Sequence, residues 1–114
     1  MLLGRVIGEV WATVKDEKLE GSKFLVVQNI DVDFKPSGGF VVAVDSLESG
    51  VGDVVLVAQG SSARQTARTK DRPVDAVIMA IVERVDVTPW EELERDYRRR
   101  VKEVEERLAN QSES

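Results

Sequence analysis

The chain has 114 residues, enough for one domain with a small appendage, and 42% of them are hydrophobic. It contains no cysteine and no histidine, so disulfides, histidine-ligated metals and a Ser-His-Asp triad are excluded. The net charge of −5 and the 5% aromatic content disfavour nucleic-acid binding, which needs a basic surface and stacking side chains.

The N-terminal segment predicts neither export nor membrane insertion. Three apolar residues are followed by Gly4 and Arg5, without the basic start and long apolar core of a signal peptide. No apolar run approaches the roughly 20 residues that span a bilayer. We therefore expect a cytoplasmic protein.

Five apolar segments predict strands, because they are rich in β-branched residues and are bounded by Gly, Pro, Asp or Ser. Gly4 and Gly8 interrupt the first segment, which indicates bends or a close approach of two backbones. A short helical turn is expected within 61–69. The predicted strands are residues 2–14, 23–32, 40–45, 54–58 and 76–87.

Short strands joined by glycine-rich turns predict a mainly β fold, a small five-stranded, OB-like barrel, for a domain over residues 1–87. Several of these strands are continuously apolar, whereas a barrel strand with a solvated outer face alternates. The outer wall is then covered, most simply by other subunits. A sandwich with a tight double core is the alternative.

The composition changes at Thr88, where a second segment, 88–114, begins. Thr88 as a cap, Pro89 at the first helical position and Glu91 at the third predict the start of a charged helix that ends near Asn110. The last four residues are expected to fray. Acid-first pairs at i,i+4 support the helix: Glu91–Arg95, Glu94–Arg98 and Asp96–Arg100.

One face of this helix carries an apolar stripe that Glu94 interrupts. A helix of about 20 residues is marginal alone, so the stripe is expected to pack on the barrel or on a partner. Docking on its own assembly is the favoured interpretation; a neighbouring protein of another kind and a protein recruited by the helix are the alternatives. The stripe consists of Trp90, Tyr97, Val101, Val104 and Leu108.

No group of residues predicts catalysis, a metal site or a cofactor. The serines lack a histidine base, and Lys70 lies in a polar loop rather than in a core. Four aspartates stand at strand ends or turns, where Asp commonly accepts hydrogen bonds from its own backbone. These are Asp31, Asp33, Asp45 and Asp53.

The loop after the fourth strand is the candidate functional element. It is small and polar, it carries hydroxyls and one guanidinium but no general base, and it lacks the spaced glycines and lysine of a P-loop. Such a loop is typical of a packing or pore-lining element. It consists of Gly60, Ser61, Ser62, Ala63 and Arg64.

Five ordered motifs together resemble the EutN/CcmL family, the pentameric vertex proteins of bacterial microcompartments and carboxysomes. The resemblance extends from residue 1 to about residue 87, and the helix from Thr88 departs from the family's usual short ending. The motifs are LGRVIGEVWAT (3–13), VVAVD (41–45), GVGDVV (50–55), GSSAR (60–64) and PVDA (73–76).

The resemblance implies a five-stranded barrel whose five copies form a truncated pyramid around a narrow axial pore. It implies a structural protein of a microcompartment shell, with hexameric shell proteins as partners and with no catalysis and no cofactor. The loop 60–64 should then lie near the five-fold axis or a subunit contact, with Arg64 bonding across the interface. The alternative is an OB-like module that binds an anionic ligand or nucleic acid through Arg64, Arg68 and Lys70; an enzyme is a more distant reading.

Overall fold

The computed structural model describes residues 1–60 and 75–113, and its described strands form one closed barrel in the order β1-β2-β3-β5-β4. A helix follows the barrel. The prediction of a mainly β, five-stranded barrel with an added C-terminal helix is confirmed. The elements are β1 (Leu2–Val10), β2 (Lys23–Ile30), β3 (Pro36–Asp45), β4 (Val54–Gln59), β5 (Ala76–Ile81) and α1 (Trp90–Glu113).

The strands pair antiparallel, except where β3 meets β5. That junction is parallel, and within the described residues it has one register pair, Val44↔Val77. Register shifts lie between Val6 and Gly8 in β1 and between Gln28 and Ile30 in β2. Each shift is an irregularity that bends a strand and helps a small sheet to close.

Aliphatic side chains fill the barrel, because alternate residues of each strand point to its inside. A second, smaller cluster of Val44, Ala58 and Val77 packs with Leu19 and Phe24. Strand alternation places Val44 and Val77 on the outer wall, so the segment around Leu19 covers part of that wall. The interior cluster is Val6, Leu25, Val27, Ala43, Val55, Val57, Ala76 and Ile78.

Three strands end earlier than predicted, because their partners run out. β1 ends at Val10 rather than residue 14, opposite Phe24 near the start of β2. β5 ends at Ile81 rather than residue 87, just before Val82 donates to the carbonyl of Val54, the first residue of β4. β2 ends at residue 30 rather than 32. Apolar composition alone did not show where pairing stops.

β3 begins at Pro36, four residues before the predicted start at Phe40. Sequence reasoning assigned the residues before Phe40 to a turn because they are rich in Pro, Ser and Gly. Hydrogen bonds from two amide side chains of β2 fix this stretch beside β2. Gln28 Nε2 donates to the Gly39 carbonyl at 2.9 Å, and Asn29 Nδ2 donates to the Gly38 carbonyl at 3.1 Å.

The helix α1 begins at Trp90, and the Pro89 carbonyl accepts from the N–H groups of Glu92 and Leu93. Pro89 therefore precedes the helix instead of opening it. The helix continues to Glu113, past the predicted end at Asn110. Two ion pairs line its surface: Glu94–Arg98 at 3.7 Å, as predicted, and Asp96–Arg99 at 3.5 Å.

The apolar stripe of α1 does not pack on the barrel of its own chain. No described side chain of α1 is buried, and the described chain is 77 Å long but only 28 × 22 Å across. The stripe is uncovered in a single chain, so the expectation that it packs on the assembly or on another partner stays a prediction. Trp90 and Tyr97 face solvent.

Candidate subunit interface

Three of the four aspartates singled out by sequence reasoning accept hydrogen bonds within turns of the barrel: Asp31, Asp45 and Asp53. Asp31 Oδ1 accepts from the backbone N–H groups of Asp33 and Lys35, at 2.9 and 3.1 Å. Asp53 Oδ2 accepts from the Gly50 N–H at 2.8 Å. Each carboxylate closes a turn by bonding its neighbours, as predicted for Asp at such positions.

Asp45 is buried at the end of β3 and organises the turn that follows. Its Oδ1 accepts from the Ser49 hydroxyl at 3.0 Å and from the Leu47 N–H at 3.1 Å. Ser49 is fully buried, and its carbonyl accepts from Lys23 Nζ at 2.8 Å. This network joins the start of β2 to the end of β3, which gives Asp45 a structural role.

The described residues contain no group of three or more acidic side chains placed to hold a metal ion. Over the same residues, no helix is long and apolar enough to cross a membrane.

Gly60 is the one residue of the candidate loop that the structure describes. Gly60 has φ +65°, a left-handed conformation that favours glycine, and its N–H donates to the Asp75 carbonyl at 2.8 Å. This hydrogen bond brings the end of β4 to the start of β5. The rest of the loop, Ser61, Ser62, Ala63 and Arg64, lies outside the described residues, as do Arg68, Lys70 and the short helical turn expected within 61–69.

The outer wall of the barrel exposes apolar side chains where strands β1 to β3 meet. Phe40 and Val42 follow each other on one face of β3, and Phe40 is 63% exposed. Val42 pairs with Val26 of β2, next to the bulge that contains Ile7. Ile7, Phe40 and Val42 are all exposed, and together they form what we call the β1–β3 patch.

A second apolar surface lies on β5. Met79 and Ile81 are exposed at the end of this strand and form what we call the β5 patch. Ile81 pairs with Val55 of β4, so the patch lies over the β4–β5 side of the barrel. Because paired residues share a face, Ile81 lies on the same face as the buried Val55 and is exposed at the end of β5, whereas the β1–β3 patch lies on the outer wall. The apolar side chains of both patches are uncovered in a single chain.

Two different apolar patches suit a head-to-tail contact, in which one patch of a subunit meets the other patch of its neighbour. A contact of this kind, repeated by rotation, generates a closed ring. Burial of apolar surface stabilises such a contact by roughly 25 cal/mol for each Å² removed from water. The geometry therefore supports assembly rather than catalysis.

Sequence reasoning placed Trp11 inside the first strand, but the structure places it after the end of β1. Its side chain is 89% exposed beside a surface groove that includes Val10, Lys23 and Phe24. An exposed tryptophan beside a groove is typical of an interaction surface. The signal in the sequence was the large aromatic residue among small ones, Ala12 and Thr13.

The family model for the ethanolamine utilisation protein EutN/carboxysome family matches residues 1–83. The microcompartment shell vertex protein GrpN of Rhodospirillum rubrum (strain F11) is 42% identical over 86 residues, which are 75% of this chain and 97% of GrpN. The carboxysome shell vertex protein CcmL of Gloeobacter violaceus is 41% identical over 87 residues, which are 76% of this chain and 87% of CcmL.

Solved structures agree with these relatives. The structure described as the GrpN pentameric microcompartment shell protein from Rhodospirillum rubrum has a TM-score of 0.70 and 41% identity, over 77% of this chain and 100% of GrpN. Gloeobacter violaceus CcmL has a TM-score of 0.72 and 41% identity, over 76% of this chain and 90% of that one.

The names of these relatives describe shell components, which agrees with the prediction of a structural protein that is not an enzyme. They give no support to the alternative of an OB-like binding module. The match ends before α1, so the helix is outside the family model. The chain belongs to the EutN/CcmL family, whose relatives named here are shell vertex proteins of bacterial microcompartments and carboxysomes.

Proposed function

We propose that five copies of this chain form a ring that caps a vertex of a polyhedral protein shell in the cytoplasm. Family membership supports a vertex role, and the pentameric structures of relatives support the number of subunits. The observation in this chain that carries the proposal is the pair of separate exposed apolar patches on the barrel.

The neighbours of the ring are hexameric shell proteins. A flat layer of six-fold units cannot close on itself, so a closed shell needs five-fold units where it curves. A pentamer supplies this curvature by its symmetry and needs no chemistry of its own. The barrel, residues 1–87, is the vertex unit, and residues 88–114 are an addition to it.

The loop 60–64 lies near the five-fold axis or the adjacent subunit contact in this proposal. The hydrogen bond between Gly60 and Asp75 joins the two described residues on either side of 61–74, the segment that contains the rest of this loop. Small residues permit close approach, and Arg64 bonds across the interface. An Arg64→Ala variant that still formed rings as stable as those of the wild type would contradict the role of Arg64.

The assembly is tested by native mass spectrometry and light scattering of the full chain. Five copies of the 12.7 kDa chain have a mass of about 64 kDa. We expect one species at that mass, whereas a monomer at all concentrations would refute the proposal.

The position of the interface is tested with Phe40→Ser, and Phe34→Ser is the matched control. Both phenylalanines are exposed, but Phe34 lies in the turn before β3 and outside both patches. Phe40→Ser should shift the mass distribution towards smaller species, and Phe34→Ser should leave the ring intact. Equal loss of the ring in both variants would place the interface elsewhere.

A further inference from the structure

The helix α1 carries an apolar stripe that nothing in its own chain covers. Trp90 is 70%, Tyr97 66% and Leu108 59% exposed. Aromatic side chains of this kind bury about 150–250 Å² each when they are covered. A contiguous apolar surface that includes two of them marks an interaction site.

The spacing of the stripe is that of a coiled coil. Trp90, Tyr97 and Val104 follow each other at intervals of seven residues, and Val101 and Leu108 are also seven apart. From Tyr97 onward the intervals alternate between four and three, which assigns Tyr97 and Val104 to d positions and Val101 and Leu108 to a positions. A seven-residue repeat of this form winds helices around each other with a left-handed twist.

Glu94 occupies an a position near the start of the stripe. Its carboxylate lies 3.7 Å from Arg98 Nη2 on the same helix, so its charge is balanced within the chain. Leu93, the residue beside it, is exposed and supplies apolar surface at the same level. The first turns of α1 therefore keep an apolar flank despite the charge.

The charges beside the stripe favour parallel helices of identical chains. Arg100 and Arg107 hold g positions, and Glu105 holds the e position five residues after Arg100. In parallel coiled coils g residues face such e residues of the next helix, so Arg100 meets Glu105 of the neighbour. Antiparallel helices would instead bring the arginine positions together. Arg100 and Glu105 flank one apolar groove formed with Tyr97, Val101 and Val104.

A ring with five-fold rotational symmetry imposes the same parallel orientation, because all its helices leave from one side. Residues 82–89 join β5 to α1 and reach at most about 26–29 Å when extended. The described chain is at most 28 Å across, so this connection can carry α1 across a whole barrel. The ring also holds the helices together at millimolar effective concentration, which favours association of otherwise marginal helices.

We infer that the five α1 helices of one ring associate through this stripe as a parallel, left-handed bundle. The inference rests on the proposed pentamer. The ring of five barrels fixes the number of helices at five, so the stripe does not have to specify that number by itself. The bundle covers the apolar face that a single chain leaves in water.

The test uses the full chain with one added cysteine, Gln111→Cys, which is unique because the sequence contains none. Residue 111 is the next d position after Val104. Pyrene attached there emits as an excimer only when two labels come together, as at the end of a bundle. The variant Val101→Gln/Val104→Gln removes two stripe residues, and Lys102→Gln/Glu103→Gln is the matched control on the adjacent face.

Both double variants introduce the same residues and leave the net charge unchanged. Glutamine is a better helix former than valine, so a loss in the stripe variant does not come from a weaker helix. We expect excimer emission from the labelled ring, loss of that emission in the stripe variant, and wild-type emission in the control. Native mass should stay at about 64 kDa in all three, since the barrels hold the ring.

Each other result has a distinct meaning. A ring of five with no excimer, or with excimer that the stripe variant keeps, overturns the bundle and leaves the proposed function standing. A mass of ten chains overturns it as well, because helices of two rings would then pair antiparallel. A chain that is not a pentamer overturns the proposed function and the five-helix bundle together.

Discussion

Gly4 packs closely against β2, and alanine there should destabilise the barrel. A Cβ atom on Gly4 would lie 2.9 Å from the Gln28 carbonyl oxygen and would overlap the Val27 side chain. Gly4 pairs with Asn29 on one side and Val55 on the other, so β1 has no free side to move towards. Val27 is itself fully buried, which leaves its methyl group little room.

Overpacking of this kind costs about 1–3 kcal/mol, against a gain of about 0.4–1 kcal/mol from the stiffer unfolded chain. The midpoint of thermal unfolding should then fall by about 4–8 °C for each kcal/mol of net loss. Circular dichroism measures it, at one subunit concentration for all variants, because assembly raises apparent stability.

Gly8→Ala is the matched control, since no atom lies within 4 Å of the position a Cβ would take there. It keeps the entropic gain without the overlap, so its midpoint should equal or exceed that of the wild type. A Gly4→Ala protein that melts no lower than the wild type would refute the close approach. An equal fall in both variants would also refute it, because the loss would then be common to both glycine positions of β1 and would not come from the overlap at Gly4.

Three further changes test other parts of the chain. Asp45→Ala leaves the buried Ser49 hydroxyl and the Leu47 N–H without their acceptor, so it should lower the free energy of unfolding, measured by urea titration, by about 1–3 kcal/mol. Asp31→Ala, in an exposed turn, should lower it by less. Gly60→Ala places a side chain at φ +65° and should cost about 1–2 kcal/mol, again by urea titration; an unchanged midpoint would show that the left-handed turn is dispensable. A chain ending at residue 87 should still form a species of five truncated subunits in native mass spectrometry, because the described core residues of the barrel pack on one another and not on α1. Failure of this chain to assemble would make the helix part of the ring interface.

The sequence predicted the barrel well because its strands are short, apolar and separated by glycine-rich turns. It predicted strand ends poorly, because pairing depends on where a partner begins. Val82 bonds to the first residue of β4, and nothing in the composition of residues 82–87 reveals that limit. The early start of β3 was missed for a similar reason: Gln28 and Asn29 hold a glycine-containing stretch that looks like a turn.

The sequence predicted that the barrel has an apolar subunit interface, but it did not predict which residues form it. Continuous apolar strands indicated a covered outer wall, whereas the identity of the exposed residues depends on the bulges. Ile7 lies in the register shift of β1, so simple alternation does not place it. The role of the loop 60–64 stays a prediction. The stripe of α1 was found from its spacing alone, but whether it is covered by the same chain required the structure.

The single parallel junction between β3 and β5 has a mechanical consequence. The other strand pairs are held by antiparallel ladders, so the barrel is a rolled sheet whose edge strands β3 and β5 meet, within the described residues, through one register pair. We expect the distance between β3 and β5 to change more easily than the distances within the antiparallel ladders, so the barrel can change its cross-section while its aliphatic interior stays intact. A subunit of fixed shape fits neighbours at one angle only. A barrel that can deform at one strand junction tolerates small differences in the angle between subunits, such as those that arise where curved and flat regions of a shell meet.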